Sequence, residues 1–132
     1  GCKKLINSYG IADHFSLLGF RRDIPEILGL FDAMLFTTAG EGFGIVIIEA
    51  MSKKIPVFAI NDGAVPEIIN HEENGILLNT TDPEIIAQQI CNVINDKKLI
   101  AKIKNQCAKD VRSRFSINEC VRKMEKVYQS VL

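Results

Sequence analysis

Residues 40–51 read GEGFGIVIIEAM, and the structure of this stretch decides the fold. Its centre, residues 45–48, consists of four β-branched residues that favour a strand on propensity alone. Apolar strand candidates lie on both sides, at 33–37 and 56–60, and consecutive parallel strands need a crossover helix between them. We therefore predict a buried helix over residues 43–53.

The rest of the chain continues this alternation. Strands are predicted at 14–18, 33–37, 56–60 and 76–78, and helices at 3–10, 24–31, 43–53, 65–70, from 83, from about 97 and after 116. Three helix starts carry capping signals, which are Asp23-x-x-Glu26, Asp82-Pro83 and Ser116-x-x-Glu119. The last helix is predicted to carry one apolar stripe. This order predicts an α/β domain with an open, mostly parallel sheet and helices on both faces.

Length and composition limit the classes of function. At 132 residues the chain supports one domain, and 47% hydrophobic residues with a mean hydropathy of +0.11 indicate a buried core. The formal net charge is zero and the pI is near 6.9, so neither nucleic acid nor an anionic membrane is favoured as a bulk electrostatic partner. No signal peptide or run of about eighteen apolar residues is recognised, which predicts a soluble chain.

The cysteine and histidine residues do not indicate a metal site. The cysteines are Cys2, Cys91, Cys107 and Cys120. They form no C-x-x-C motif, and three of them fall on apolar positions of predicted helices, so we predict buried free thiols. His14 and His71 have no cysteine or carboxylate at ligand spacing, so we predict no metal ion.

Two carboxylates flank the start of the central helix. Glu41 and Glu49 are eight residues apart, which on a helix is about 12 Å and roughly 80° around the axis. That separation exceeds the roughly 5–9.5 Å between the paired carboxyl groups of a glycoside hydrolase. We predict that each binds a different part of one long ligand, with a phosphate between them on the free N–H groups of residues 42–44. The alternative is a helix cap and a solvated helix face.

The motifs resemble a known family. They are Glu41-x7-Glu49 within EGFGIVIIEAM, then Pro56-Val57, Gly63, Pro66-Glu67 and Asn74-Gly75. From about Leu5 to the C-terminus, the chain resembles the donor-binding half of the retaining GT-B glycosyltransferases of family 4, the glycosyl transferases group 1. The resemblance implies a Rossmann-like domain that forms the C-terminal half of a two-domain enzyme.

The resemblance also implies roles for individual residues. Glu41 matches the position treated as catalytic, which hydrogen-bonds the donor sugar, and Glu49 matches the position that holds the ribose. The other donor-binding positions are Gly42, Phe43, Gly44 and Ile45 near the diphosphate and sugar, and Leu18, Gly19 and Phe20 near the nucleobase. Arg21 and Arg22 either pair with the nucleotide or are solvated loop charges.

The implied function is transfer of a sugar, of hexosyltransferase type, from a nucleotide diphosphate sugar to an acceptor hydroxyl. No cofactor, metal or nucleic acid is expected. The acceptor is a glycan or lipid, held by an N-terminal domain that this chain lacks, in polysaccharide or glycolipid biosynthesis. The parent protein is expected in the cytoplasm, with peripheral contact at the inner face of the membrane left open.

Other classes of function stay open. One is a non-catalytic truncated remnant or nucleotide-sugar binding module. Another is a dinucleotide-binding redox domain, which is disfavoured because GEGFG does not match the G-x-G-x-x-G fingerprint.

The family pattern begins upstream of this chain. There the domain starts with two strands that carry a Gly-rich turn and an Arg…Lys pair for the diphosphate. We therefore expect residues 1–132 to be a donor-binding domain without its first strands and to be inactive alone. Strand 14–18 would lack its usual neighbours, so we predict that it pairs directly with strand 33–37. Pairing between two copies, as a homodimer, is the second option, and loss of order before about residue 22 is the third.

Overall fold

The computed structural model describes residues 1–40 and 42–131. The helices are Cys2–Ser8 (α1), Ile24–Leu28 (α2), Ile45–Ser52 (α3), Val65–Ile68 (α4), Pro83–Asn95 (α5), Lys97–Arg114 (α6) and Ile117–Val131 (α7), and a 3₁₀ turn spans Ala12–His14. The strands are Met34–Phe36 (β1), Val57–Ile60 (β2) and Ile76–Leu78 (β3). None of the described helices combines the length and apolar character needed to cross a bilayer.

The three strands form one parallel sheet in the order β1-β2-β3. Met34 is in register with Val57, and Phe58 with Ile76. Because β1 and β2 are adjacent and parallel, the chain between them must return to the start of the sheet, and α3 makes that return. The prediction of a helix through the β-branched run is therefore confirmed.

Helices cover both faces of the central strand β2. Its side chains alternate, so that Val57 and Ala59 pack with Ile47 of α3 on one face. Phe58 and Ile60 pack with Ile86 of α5 on the other face. This arrangement explains why β2 is a continuous apolar run, and it confirms the predicted α/β layers.

The predicted strand over residues 14–18 is wrong. The 3₁₀ turn ends at His14, and the described sheet contains β1, β2 and β3 only. The prediction of direct pairing with strand 33–37 is therefore also wrong. Leu17 and Leu18 are each about half exposed, at 53% and 52%. Without a ladder partner, a segment keeps its N–H and C=O groups satisfied by remaining in contact with water.

Two of the three predicted N-caps, at Asp82 and Ser116, are confirmed. Asp82 caps α5, because its Oδ1 accepts from the N–H groups of Glu84 at 2.9 Å and Ile85 at 3.3 Å. The Ser116 hydroxyl accepts from the Glu119 N–H at 3.3 Å, as predicted, although the Glu119 carboxylate pairs with Arg122.

The predicted capping box at Asp23 is wrong. The Asp23 side chain makes no cap hydrogen bond to α2. Both of its carboxylate oxygens instead accept from Arg21, at 2.9 and 2.5 Å. This competing partner keeps the carboxylate from the helix N–H groups and lowers the pKa of Asp23.

We expect Asp82→Ala to lower the free energy of unfolding by about 1 kcal/mol, since the variant loses the cap of α5. Asp23→Ala is the matched control. It removes only an exposed ion pair and should change stability by less than about half as much. Urea unfolding followed by circular dichroism measures both values. Equal losses would show that the Asp82 hydrogen bonds do not stabilise the helix.

The burial predicted for the cysteines is correct only for Cys107, which packs in the core, where burial raises the pKa of its thiol. Cys2, Cys91 and Cys120 are exposed. Cys120 is exposed because α7 contributes no buried residue. The predicted apolar stripe of α7 is solvent-facing and consists of Val121, Met124, Val127, Tyr128 and Val131.

Candidate functional site

A glycine-rich loop leads from β1 into α3 at the carboxyl end of the sheet. Gly44 is the N-cap of α3 and adopts the left-handed conformation, with φ 70° and ψ 51°. Gly40 is also left-handed, with φ 69°. Both backbone conformations favour glycine, which explains why glycine occupies the two positions. The loop lies where ligands of open parallel sheets bind.

The helix begins two residues later than predicted. The first turn of α3 starts at Ile45, and the Ile47 N–H donates to the Gly44 carbonyl at 2.9 Å. The N–H groups at the helix start are therefore those of Ile45 and Val46, and not those of residues 42–44. The first turn contains no acidic residue. The positive end of the helix dipole consequently favours an anion beside these two amides.

Glu49 lies on the exposed face of α3. Ile47, Ala50 and Met51 are fully buried on the opposite side, whereas Ile45 is 66% exposed. Ile45 and Glu49 are four residues apart and so share one helix face. Glu49 therefore lies on the same exposed face of α3 as Ile45, the first residue of the helix. Glu41, the other carboxylate predicted for the site, lies outside the described residues.

Phe43 anchors the loop through its side chain. Its ring makes an edge-to-face contact with Phe115, with centroids 6.1 Å apart. The Arg114 guanidinium lies 4.8 Å from the centre of the Phe115 ring and donates to the backbone carbonyls of Glu67 and Ile68. The loop is therefore attached to the end of α6 and, through Arg114, to α4. Phe43 was predicted to lie near the diphosphate and sugar, and sequence patterns do not reveal its packing on Phe115.

A cleft of about 470 Å³ lies against α2 and β1 and reaches Val46, the second residue of α3. It is lined by Leu18, Gly19, Arg21, Ile24, Ile27, Leu28, Phe31, Ala33, Met34, Leu35 and Val46. The structure therefore brings the segment predicted to lie near a nucleobase to the same cleft as the helix start. Phe20 is 89% exposed and is not one of the lining residues. Arg21 lines the cleft, but its guanidinium is paired with Asp23.

A second, more polar cleft of about 520 Å³ lies at the carboxyl ends of β2 and β3. It is lined by Ala39, Ile60, Asn61, Asp62, Leu78, Asn79, Thr80 and Thr81. Asp62 crosses to the glycine-rich loop, where its Oδ2 accepts from the Gly40 N–H at 2.6 Å. No sequence motif singles out Asp62. Its position directly after a buried strand is the one signal that could have indicated it.

Over the described ranges, 1–40 and 42–131, no three His, Cys, Asp or Glu side chains converge as a metal-binding group. Glu67 lies in the first turn of α4, as predicted, where its negative charge favours the helix.

Comparisons with known proteins converge on one family. A family model described as glycosyl transferases group 1 matches residues 1–110. Among curated proteins, N-acetyl-alpha-D-glucosaminyl L-malate synthase of Bacillus anthracis is 29% identical over 129 residues, which cover 98% of this chain and 34% of the synthase. The chain therefore spans about a third of the length of that relative.

Solved structures show the same relationship. Anabaena HepE in complex with UDP-glucose superposes with a TM-score of 0.89 at 29% identity, covering 98% of this chain and 36% of HepE. The C-terminal domain of a glycosyl transferase group 1 family protein from Francisella tularensis has a TM-score of 0.73 at 29% identity. That match covers 87% of this chain and 60% of the Francisella chain.

Proposed function

Because the chain belongs to the glycosyl transferases group 1 family, we propose that it is the donor-binding half of a retaining glycosyltransferase. The reaction moves a sugar, a hexose by type, from a nucleotide diphosphate sugar to an acceptor hydroxyl. The observation that carries the proposal is that Leu18 and Gly19 line one cleft together with Val46 in the first turn of α3. HepE, which superposes over nearly the whole chain, is solved with UDP-glucose.

The donor is proposed to lie across the carboxyl edge of the sheet. The nucleobase enters the cleft beside Leu18 and Gly19. The diphosphate accepts from the N–H groups of Ile45 and Val46, where the helix dipole stabilises its charge. Glu49, four residues along the same exposed face, then accepts from the ribose hydroxyls. The sugar extends toward the loop that carries Glu41.

The catalytic role proposed for Glu41 is to hold the donor sugar while positive charge develops at the anomeric carbon. The leaving phosphate helps to deprotonate the acceptor, so no protein base is required near that carbon. We propose that the donor binds without a metal ion. The acceptor, a glycan or lipid, is held by the part of the enzyme that corresponds to the remaining two thirds of its relatives.

The parent enzyme is proposed to work in the cytoplasm, at the inner face of the membrane. Support comes from α6, where four exposed basic side chains recur at helical spacing along one face, at Lys98, Lys102, Lys109 and Arg112. Such a row favours contact with anionic lipid head groups. The formal net charge of the whole chain is zero, so this concentration of positive charge on one face of α6 is not apparent from composition.

Calorimetry and a transfer assay test the proposal. The chain alone should bind UDP and UDP-glucose in the presence of EDTA, and should bind NAD at least about tenfold more weakly. It should not transfer sugar, since positioning by an acceptor domain supplies a large part of such a rate. Binding of NAD in preference to UDP would contradict the donor assignment. Sugar transfer by the chain alone, above the level of a Glu41→Ala control, would contradict the proposal that an acceptor domain is needed for the reaction.

A further inference from the structure

One carboxylate joins the described part of the glycine-rich loop, residues 37–40 and 42–44, to the end of the neighbouring strand. The Gly40 N–H donates to Asp62 Oδ2 at 2.6 Å, across 22 residues of sequence. Gly40 follows β1 and Asp62 follows β2, and these strands are adjacent and parallel. The bond therefore joins two loops at the carboxyl edge of the sheet, where a donor would lie.

The backbone of Asp62 is held by two further bonds. Its N–H donates to the Ile60 carbonyl at 2.9 Å, and its carbonyl accepts from the Val65 N–H at 3.2 Å at the start of α4. The end of β2 and the start of α4 thus fix the residue on both sides. The Asp62 carboxylate therefore accepts from the Gly40 N–H from a backbone position that is itself fixed.

Gly40 has an unusual backbone conformation and is exposed. Its φ of 69° is left-handed, and nothing lies within 4 Å of the position where a Cβ would be. The charge-assisted bond to Asp62 joins this exposed residue to the loop after β2. At the other end of the loop, Gly44 is buried as the N-cap of α3. The loop is fixed at one end by packing and at the other by Asp62.

We propose that Asp62 is a positioning residue for the donor, acting through Gly40 on the path of the glycine-rich loop. This inference rests on the proposed function, because it takes the loop to be the donor site. A carboxylate does not itself favour a diphosphate nearby, since both are negative. Asp62 therefore serves the donor through the backbone that it holds.

Two substitutions of Asp62 distinguish the effect of its hydrogen bond to Gly40 from the effect of its negative charge. Asp62→Asn keeps an oxygen acceptor without the negative charge, whereas Asp62→Ala removes the acceptor. We expect Asp62→Ala to weaken UDP binding by roughly tenfold and Asp62→Asn to weaken it by about threefold or less. Asp96→Ala is the matched control. The Asp96 carboxylate also accepts from backbone N–H groups, those of Lys98 and Leu99, but it lines neither cleft, so its removal should leave UDP binding unchanged.

A second readout reports on the bond without any ligand. In ¹H–¹⁵N spectra of the full chain, the Gly40 amide proton should be shifted downfield by the bond to the carboxylate. This downfield shift should be absent in Asp62→Ala and kept in part in Asp62→Asn. The dispersion of the remaining amide signals shows whether each variant is folded.

The two measurements distinguish the possible failures. An equal chemical shift of the Gly40 amide proton in wild type and Asp62→Ala would show that Asp62 does not accept from the Gly40 N–H. Unchanged or tighter UDP binding in Asp62→Ala would overturn positioning through the bond, because removal of the carboxylate would then only relieve its repulsion of the diphosphate. A wild-type chain that binds no UDP, with the Gly40 signal still dependent on Asp62, would contradict the proposed function of the site instead.

Discussion

Replacing Glu41 by glutamine in the full-length enzyme is expected to lower kcat by about 10²–10³-fold, the loss typical of removing one group that stabilises developing charge. A contact near the donor sugar strengthens as charge develops at the anomeric carbon, so its removal acts on the transition state more than on binding. Steady-state kinetics with saturating acceptor measures the change. The donor KM should change little.

Glu49→Gln in the same enzyme is the comparison, because a ribose contact is made equally before and during the reaction. It should raise the donor KM by about tenfold and leave kcat within a few-fold of wild type. Glu84→Gln, an exposed substitution in the first turn of α5, is the matched control and should change neither constant. If Glu49→Gln left KM unchanged, the ribose assignment would be wrong.

The second large effect is expected at Gly44. An alanine there must adopt the left-handed conformation of the N-cap, which costs roughly 1–2 kcal/mol, or the start of α3 must move. Either change displaces the Ile45 and Val46 amides from their present geometry. We expect UDP binding, measured by calorimetry, to weaken by about 5–30-fold, the equivalent of that strain.

Gly42→Ala is the control within the same loop. Nothing lies within 4 Å of the position of an added Cβ at Gly42, and Gly42 is not the cap of α3. Alanine should therefore be tolerated there with less than about a threefold change in UDP affinity. Comparable losses in Gly42→Ala and Gly44→Ala would show that the left-handed cap is not what shapes the site.

The main layers of the fold were predictable because they follow from topology. The run 45–48 has strand propensity, yet it is helical, since two adjacent parallel strands leave only a crossover between them. The segment at residue 14 was not predictable in this way. Its apolar pattern resembles a buried strand. A strand also needs a neighbouring strand to pair with, and the local pattern does not indicate whether one is present.

The sequence predicted which residues belong to the candidate site better than it predicted how they are arranged. The glycines mark where the backbone is left-handed, but only the structure shows that Gly44 is the cap and that the amides at the helix start are those of Ile45 and Val46. The contact of Phe43 with Phe115 and the bond from Gly40 to Asp62 join residues far apart in sequence. Such long-range pairs carry no local signal, and so sequence patterns do not indicate them.

The most direct test of the central claim is a titration of the ¹⁵N-labelled chain with UDP-glucose, followed through the amides of α3 and of the cleft. The donor's diphosphate is placed at the start of α3. The largest shifts should therefore occur at Ile45 and Val46, with smaller ones at Leu18 and Gly19, while amides of α7 stay unchanged. Shifts confined to α5 or α7, with Ile45 and Val46 unaffected, would contradict this placement of the donor.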